Sequence, residues 1–167
     1  MLYDSFCNIL AILDEKKCIW RIMEIWVDAD GCPVVKEACQ IAKKNNLPIT
    51  LCKNDAVNLQ VNGAKIISLD VSKDAVDFYI VTHAKKGDIV ITQDFGLAAM
   101  LLPKNVICLN QDGRLYQVET MDLLLAQRHD RAKERKNGRY HGKIKKRQAS
   151  QNEAFVNALQ NIIDIHL

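Results

Sequence analysis

Two features of the sequence predict a three-layer α/β fold with a mostly parallel sheet of about five strands. Short apolar runs alternate with segments of helical spacing between residues 23 and 110. One run, DIVIT (88–92), is so apolar that both of its faces need cover, as in a parallel sheet sandwiched by helices. The chain has 167 residues, 49% hydrophobic and 26% charged, which suits one folded domain and excludes a wholly disordered protein. Only 7 Gly and 3 Pro exclude collagen-like and linker-rich architectures.

The first strand is expected within 23–30, where Ile25, Trp26 and Val27 run into acidic residues and Gly31-Cys32-Pro33. Pro33 suits the first turn of a helix, and Val34, Val35, Ala38, Cys39, Ile41 and Ala42 carry helical spacing to about Asn45. Residues 47–52 form a second strand, 53–63 a polar loop and 64–70 a third strand. Ser72 is placed to cap a helix over 73–86, with Ala75, Val76, Phe78, Tyr79, Val81 and Thr82 as inner positions and Gly87 ending it. The strand 88–92 leads into a helix over 95–102 stopped by Pro103, and 105–110 is a further buried strand. An Asp112-Gly113 turn with a short flanking strand is expected at 111–119. Residues 121–136 read as an increasingly charged helical segment.

The ends differ from this body. Residues 1–22 read as an N-terminal extension, because the first good strand begins at Met23, itself a candidate translation start. The domain proper spans 23–135, a basic loop without apolar periodicity spans 136–148, and a closing helix over 149–167 docks on the domain. Ser150 and Glu153 have the spacing of a capping box, and Phe155, Val156, Leu159, Ile162 and Ile163 form that helix's apolar face. Net charge is +3, but residues 128–147 hold ten Lys/Arg against two Asp/Glu, leaving the remainder at 3 − 8 = −5. No apolar run reaches the roughly 18–20 residues of a membrane span. Six cysteines contain no C-x-x-C pair or zinc-finger spacing, and read as reduced thiols in a cytoplasmic protein.

Ligands of open parallel sheets bind beyond the carboxyl ends of the strands. Asp28 and Asp30 follow the first strand, and Thr92-Gln93-Asp94 follows the fourth. Asp74 and Asp77, three apart, sit in or near the first turn of the helix after strand three. Carboxylates packed at one edge repel and need a cation or protons. Hard oxygen ligands suit Mg²⁺ or Mn²⁺, which stabilise charge in phosphodiester displacement. The plainer readings are a helix-dipole role for Asp74 and Asp77 and an N-cap role for Asp94. Asp88 belongs to the opposite end of the sheet, Asp112 to its turn, His83 to packing, and Cys32 to an unreactive thiol beside carboxylates.

The segments IWVDADGCPVVKEA, VSKDAVDFYIV and GDIVITQDFGLAAMLL resemble the YaiI/YqxD family of bacterial proteins (DUF188, UPF0178) from Met23 to the basic segment. That family is usually grouped with PIN-like nuclease folds. The resemblance implies a PIN-like domain, with Asp28 at the Asp that follows the first PIN strand. It also places Thr92, Asp94 and Leu97-Ala98 on the T-x-D-x-x-L-A-like stretch. Asp30, Asp74 and Asp77 match acidic positions of the family motifs. RYHGKIKKR is less rich in Gly and Pro than the family's C-terminal end.

The reading that follows is a metal-dependent nuclease hydrolysing phosphodiesters, with RNA as partner and Mg²⁺ or Mn²⁺ as cofactor. Asp28, Asp94 and Asp77 are its catalytic candidates. Asp28, Asp30, Asp74, Asp77 and Asp94 are its metal ligands, and Thr92 supports the loop. Arg139, Tyr140, Lys143, Lys145, Lys146 and Arg147 would hold the nucleic-acid backbone through phosphate contact and stacking. Two other classes account for parts of the same sequence. A non-catalytic nucleic-acid-binding module would keep the basic segment and lose the hydrolysis. A phosphatase of the haloacid dehalogenase type would use Asp28 and Asp30 of VDADGCPV as nucleophile and acid/base. Against the latter, Gly87-Asp88 precedes its strand instead of following it. No G-x-G-x-x-G follows the first strand, so dinucleotide binding lacks support.

Overall fold

A computed structural model describes residues 22–70, 74–121 and 146–167. Five strands form one sheet: β1 (Ile25–Asp28), β2 (Ile49–Asn54), β3 (Lys65–Leu69), β4 (Ile89–Ile91) and β5 (Ile107–Leu109). Their spatial order is β3-β2-β1-β4-β5. Every strand pair is parallel. The expected mostly parallel sheet is thus fully parallel. The strand expected to flank the Asp112-Gly113 turn reduces to one antiparallel bridge between Leu109 and Leu115.

Alternation along the strands divides the core in two. Ile25, Val27, Ile49, Leu51, Ile89 and Ile91 face helices α1 (Val35–Lys44) and α4 (Ala149–His166), whose Ala38, Ile41, Phe155, Leu159 and Ile163 fill the layer. Trp26, Cys52, Val90 and Cys108 face α2 (Ala75–His83) and α3 (Phe95–Leu101), through Val76, Ile80, Leu97, Ala98 and Leu101. Helices on both faces make the three-layer α/β arrangement expected of a PIN-like fold.

Several boundaries move. Pro33 precedes α1 instead of entering it, because the helix starts at Val35. Helix α2 is shorter than 73–86. It ends at His83, so Gly87 serves a separate turn at φ +83° whose N–H bonds Asn105 O. The cap position is taken by Asp74 at φ 71°, and Ser72 lies outside the described residues. Only Val76 and Ile80 of α2 are buried, whereas Phe78, expected inside, is 71% exposed. The reason is that α2 is apolar almost all round, so its periodicity does not single out the face that meets the sheet. Helix α4 starts at Ala149, and its capping box is Gln148 with Gln151, not Ser150 with Glu153. A helical turn opens at 118–121; the remainder of the expected 121–136 helix lies outside the described residues, as do 1–21 and most of the basic loop.

The amino ends of the strands are tied by one carboxylate. Asp88 is fully buried and accepts hydrogen bonds from Glu24 N (3.1 Å), Trp26 Nε1 (3.2 Å) and Lys85 N (2.9 Å). A buried ion needs such donors. This structural role fits its place at the end of the sheet away from the candidate site.

Candidate active site

The sequence runs outward from β1 through β2 to β3, then returns to β4 on the other side of β1 and continues to β5. The order therefore reverses between β1 and β4, and the crevice beyond their carboxyl ends is the switch point where open α/β sheets bind ligands. Asp28 closes β1 there, and Thr92 and Asp94 follow β4.

Thr92 joins the two strands. Its Oγ1 donates to Asp28 Oδ2 at 2.8 Å and accepts the Asp94 N–H at 3.0 Å. Thr92 is almost fully buried, and its own carbonyl accepts the Tyr116 hydroxyl at 3.3 Å. Asp94 is the N-cap of α3, its Oδ1 accepting the Gly96 N–H at 2.6 Å. Gln93 Nε2 reaches across to Gly31 O at 3.2 Å. Burial raises the Asp28 pKa above the ordinary carboxylate range. The Thr92 hydrogen bond opposes that rise, while the charges of Asp30 and Asp94 add to it.

The remaining carboxylates divide. Asp30 turns toward β2, where its Oδ1 accepts Asn54 N at 3.0 Å and its Oδ2 accepts Asn54 Nδ2. Asp74 and Asp77 line one open cleft with Asp94, a space of about 530 Å³ that also touches Phe78, Val81, Gly96 and Met100. Sequence reasoning thus placed Asp28 and Asp94 side by side and Asp74, Asp77 and Asp94 around one space. It did not foresee that Asp30 is committed to Asn54. It also missed Asn54 and Tyr116. Asn54 ends β2 at the same edge, which was the available signal; Tyr116 gave none, because its contact with Thr92 arises from the chain's return after β5. Asn54 Oδ1 is buried and has no hydrogen-bond partner among the described residues.

Cys32 sits beside this edge with its thiol pushed up to about 11, chiefly by burial and in part by the charge of Asp28, which disfavours the nucleophilic thiolate. Of the basic residues, Arg139, Tyr140, Lys143 and Lys145 lie outside the described residues. Lys146 is exposed. Arg147 is held by the protein itself. Its Nη1 pairs with Asp112 Oδ1 at 2.9 Å, its Nε bonds Asn152 Oδ1 at 2.6 Å, and its Nη2 bonds Gln111 O.

Among the described residues, no group of three or more His, Cys, Asp or Glu side chains is set to hold a metal ion. This excludes a closed, all-protein cage among them. Asp28 and Asp94 offer only oxygen donors, the ligand type that hard divalent ions take.

The family model described as Uncharacterized BCR, YaiI/YqxD family, matches residues 26–165. The chain belongs to the YaiI/YqxD family. A UPF0178 protein of Alkaliphilus oremlandii is 40% identical over 142 residues, covering 85% of this chain and 92% of its own. A UPF0178 protein of Natranaerobius thermophilus is 38% identical over 84% of this chain and 96% of its own. A UPF0178 protein of Listeria monocytogenes is 41% identical over 71% and 80%. No solved structure gives a significant match. The match of this YaiI/YqxD chain takes in β1 from Trp26 onward, the other four strands and every site carboxylate described above. No helix among the described residues is long and apolar enough to cross a membrane.

Proposed function

We propose that this YaiI/YqxD protein is a divalent-cation-dependent phosphodiesterase that hydrolyses RNA at the carboxyl edge of its sheet. The observation that carries the reading is that the Thr92 hydroxyl ties the Asp28 carboxylate to the Asp94 backbone N–H at the β1/β4 switch point. Asp28 and Asp94 would hold Mg²⁺ or Mn²⁺, with Asp77 on the facing helix. The ion, when bound, supplies Lewis acidity and a water of lowered pKa for attack at phosphorus.

The chain's own residues do the rest. Thr92 fixes the Asp28 carboxylate by donating to Oδ2. Asp94 keeps its backbone in place by capping α3. Asp30, Asp74 and Asp77 add negative charge that favours a bound cation. The acidic edge repels a phosphate backbone, and Lys143, Lys145, Lys146 and Arg139, with Tyr140 for stacking, offset that repulsion. Arg147 anchors the point where that basic stretch meets α4.

The test is calorimetric Mn²⁺ titration with hydrolysis of a labelled RNA, for the parent and Asp28→Asn. The expected result is Mn²⁺-dependent cleavage by the parent, with both metal binding and cleavage lost in the variant. Cleavage that persists in Asp28→Asn, or a parent that binds RNA without cutting it under any divalent ion, overturns the reading.

A further inference from the structure

Thr92 lies one residue past β4 and Phe95 opens α3, so Asp94 sits in the short turn between them. Tyr116 grips that turn at both ends. Its hydroxyl donates to the Thr92 carbonyl at 3.3 Å, and its ring meets the Phe95 ring edge-on, with centroids 5.5 Å apart. Both Tyr116 and Thr92 are buried. A buried phenol needs a partner for its hydroxyl, and a buried carbonyl needs a donor. Tyr116 reaches this place through the return of the chain after β5. Asn110 Oδ1 accepts the N–H groups of Asp112 and Arg114, both at 2.9 Å. Leu115 bridges Leu109, and Tyr116 N bonds Cys108 O at 2.9 Å. Helix α4 backs this return. A Cβ at Gly113, whose φ is +79°, would meet Ala154 O at 2.8 Å and Ala158 Cβ at 2.9 Å, so glycine is what lets the turn lie so close to the helix. Asp112 pairs with Arg147 at the same place.

We propose that Tyr116 is a positioning residue of the carboxylate edge, which fixes the turn carrying Asp94 so that Asp94 and Asp28 receive one cation together. This role rests on the phosphodiesterase reading and adds to it a residue that touches neither substrate nor ion. Tyr116 acts through Thr92. The Thr92 hydroxyl holds Asp28 Oδ2 and the Asp94 N–H, and the Thr92 N–H donates to Leu109 O at 3.1 Å. The carbonyl is the remaining polar group of Thr92, and Tyr116 secures it. Two observations separate this role from ordinary core packing. Phenylalanine would fill the same space against Phe95 without a buried hydroxyl to satisfy. The two contacts also fall on Thr92 and Phe95, the residues that flank Gln93-Asp94, so together they set where the Asp94 main chain lies. Outer partners that orient metal ligands change metal affinity without touching the metal.

The experiment uses Tyr116→Phe, which keeps the ring against Phe95 and removes the hydroxyl. Amide hydrogen exchange of the metal-free parent and variant is read residue by residue by NMR, and the Mn²⁺ affinity of both by calorimetry. The expected result is exchange accelerated several-fold more at the Asp94 and Gly96 amides than at the Trp26, Val90 and Cys108 amides of the sheet. Mn²⁺ affinity should fall roughly ten-fold in the variant. One common acceleration at all five amides makes Tyr116 an ordinary core side chain and overturns the inference. Unchanged exchange at Asp94 and Gly96 overturns it as well. So does unchanged Mn²⁺ affinity in the variant where the parent binds the ion. If neither protein binds Mn²⁺, the phosphodiesterase reading falls, while the local acceleration at Asp94 and Gly96 still upholds Tyr116 as the residue that fixes this turn.

Discussion

Thr92 Oγ1 lies 2.8 Å from Asp28 Oδ2 and donates its proton to it, across the boundary between β4 and β1. The two residues are 64 apart in sequence, and the bond exists because β1 and β4 pair in parallel with Val27 opposite Ile91. The same hydroxyl receives the Asp94 backbone N–H, so one side chain holds the Asp28 carboxylate and the Asp94 main chain.

Thr92→Val keeps the shape of the side chain and removes this hydroxyl. Asp28 loses its donor and the Asp94 N–H its acceptor, in a nearly sealed position. Unfolding in urea is expected to show a loss of about 1–3 kcal/mol. Mn²⁺ affinity, read by calorimetry, should fall roughly ten-fold or more as the carboxylate loses its orientation. Thr92→Ser should restore both.

Asp28→Asn is expected to raise stability at neutral pH. Burial raises the folded-state pKa of Asp28, so the folded protein holds that proton more tightly than the unfolded chain does. The parent's stability from this group is complete below the unfolded pKa and declines as pH rises through the folded one. Asparagine has no such titration. Thermal melts in chelator should show the variant's advantage growing as pH rises from the ordinary carboxylate range, then levelling off. A difference that shrinks over that range contradicts the assigned direction.

Asp88→Ala is expected to destabilise the fold strongly while sparing the site. It strands the N–H groups of Glu24, Trp26 and Lys85 at the far end of the sheet. A loss of about 3 kcal/mol in chemical unfolding is expected. Folded protein, measured at low temperature, should bind Mn²⁺ as the parent does.

Lys146 and Arg147, neighbours in sequence, should behave differently. Lys146→Gln leaves melting unchanged, because the side chain is exposed. Arg147→Gln removes the bonds to Asp112, Asn152 and Gln111 and should cost about 1–3 kcal/mol. Neutralising Lys143, Lys145 and Lys146 together should weaken single-stranded RNA binding and flatten its salt dependence, as fluorescence anisotropy at several salt concentrations would show.

Much of this architecture is legible in the residues. The strands are short apolar runs ended by polar clusters, and the buried runs at β4 and β5 already demand helices on both faces. Asp28 and Asp94 could be placed because a parallel sheet puts every strand's carboxyl end on one side. What escaped depends on register or on distant partners. Asp30 faces Asn54 only because β1 and β2 pair with Asp28 opposite Cys52, which spacing along the chain does not encode. Arg147 reads as one more charge in a basic run, yet its ion-pair partner lies 35 residues earlier. Phe78 sits in a helix apolar on nearly every side, so no pattern told the buried face from the open one.

The sheet's order also dictates when the molecule can become itself. β1 is the earliest strand of the sheet and its centre, yet its two neighbours arise later, and Thr92 follows Asp28 by 64 residues. One face of β1 is covered by α4, the last helix among the described residues. A growing chain that has not yet reached α4 carries its central strand without this cover, and the Asp28–Asp94 edge forms only once β4 pairs with β1. Such long-range closure slows folding and exposes apolar strands to misassociation meanwhile. The carboxylate edge is thus a late property of the fold: a growing chain that has not yet reached Asp94 carries no complete edge beside the RNA from which it is being read.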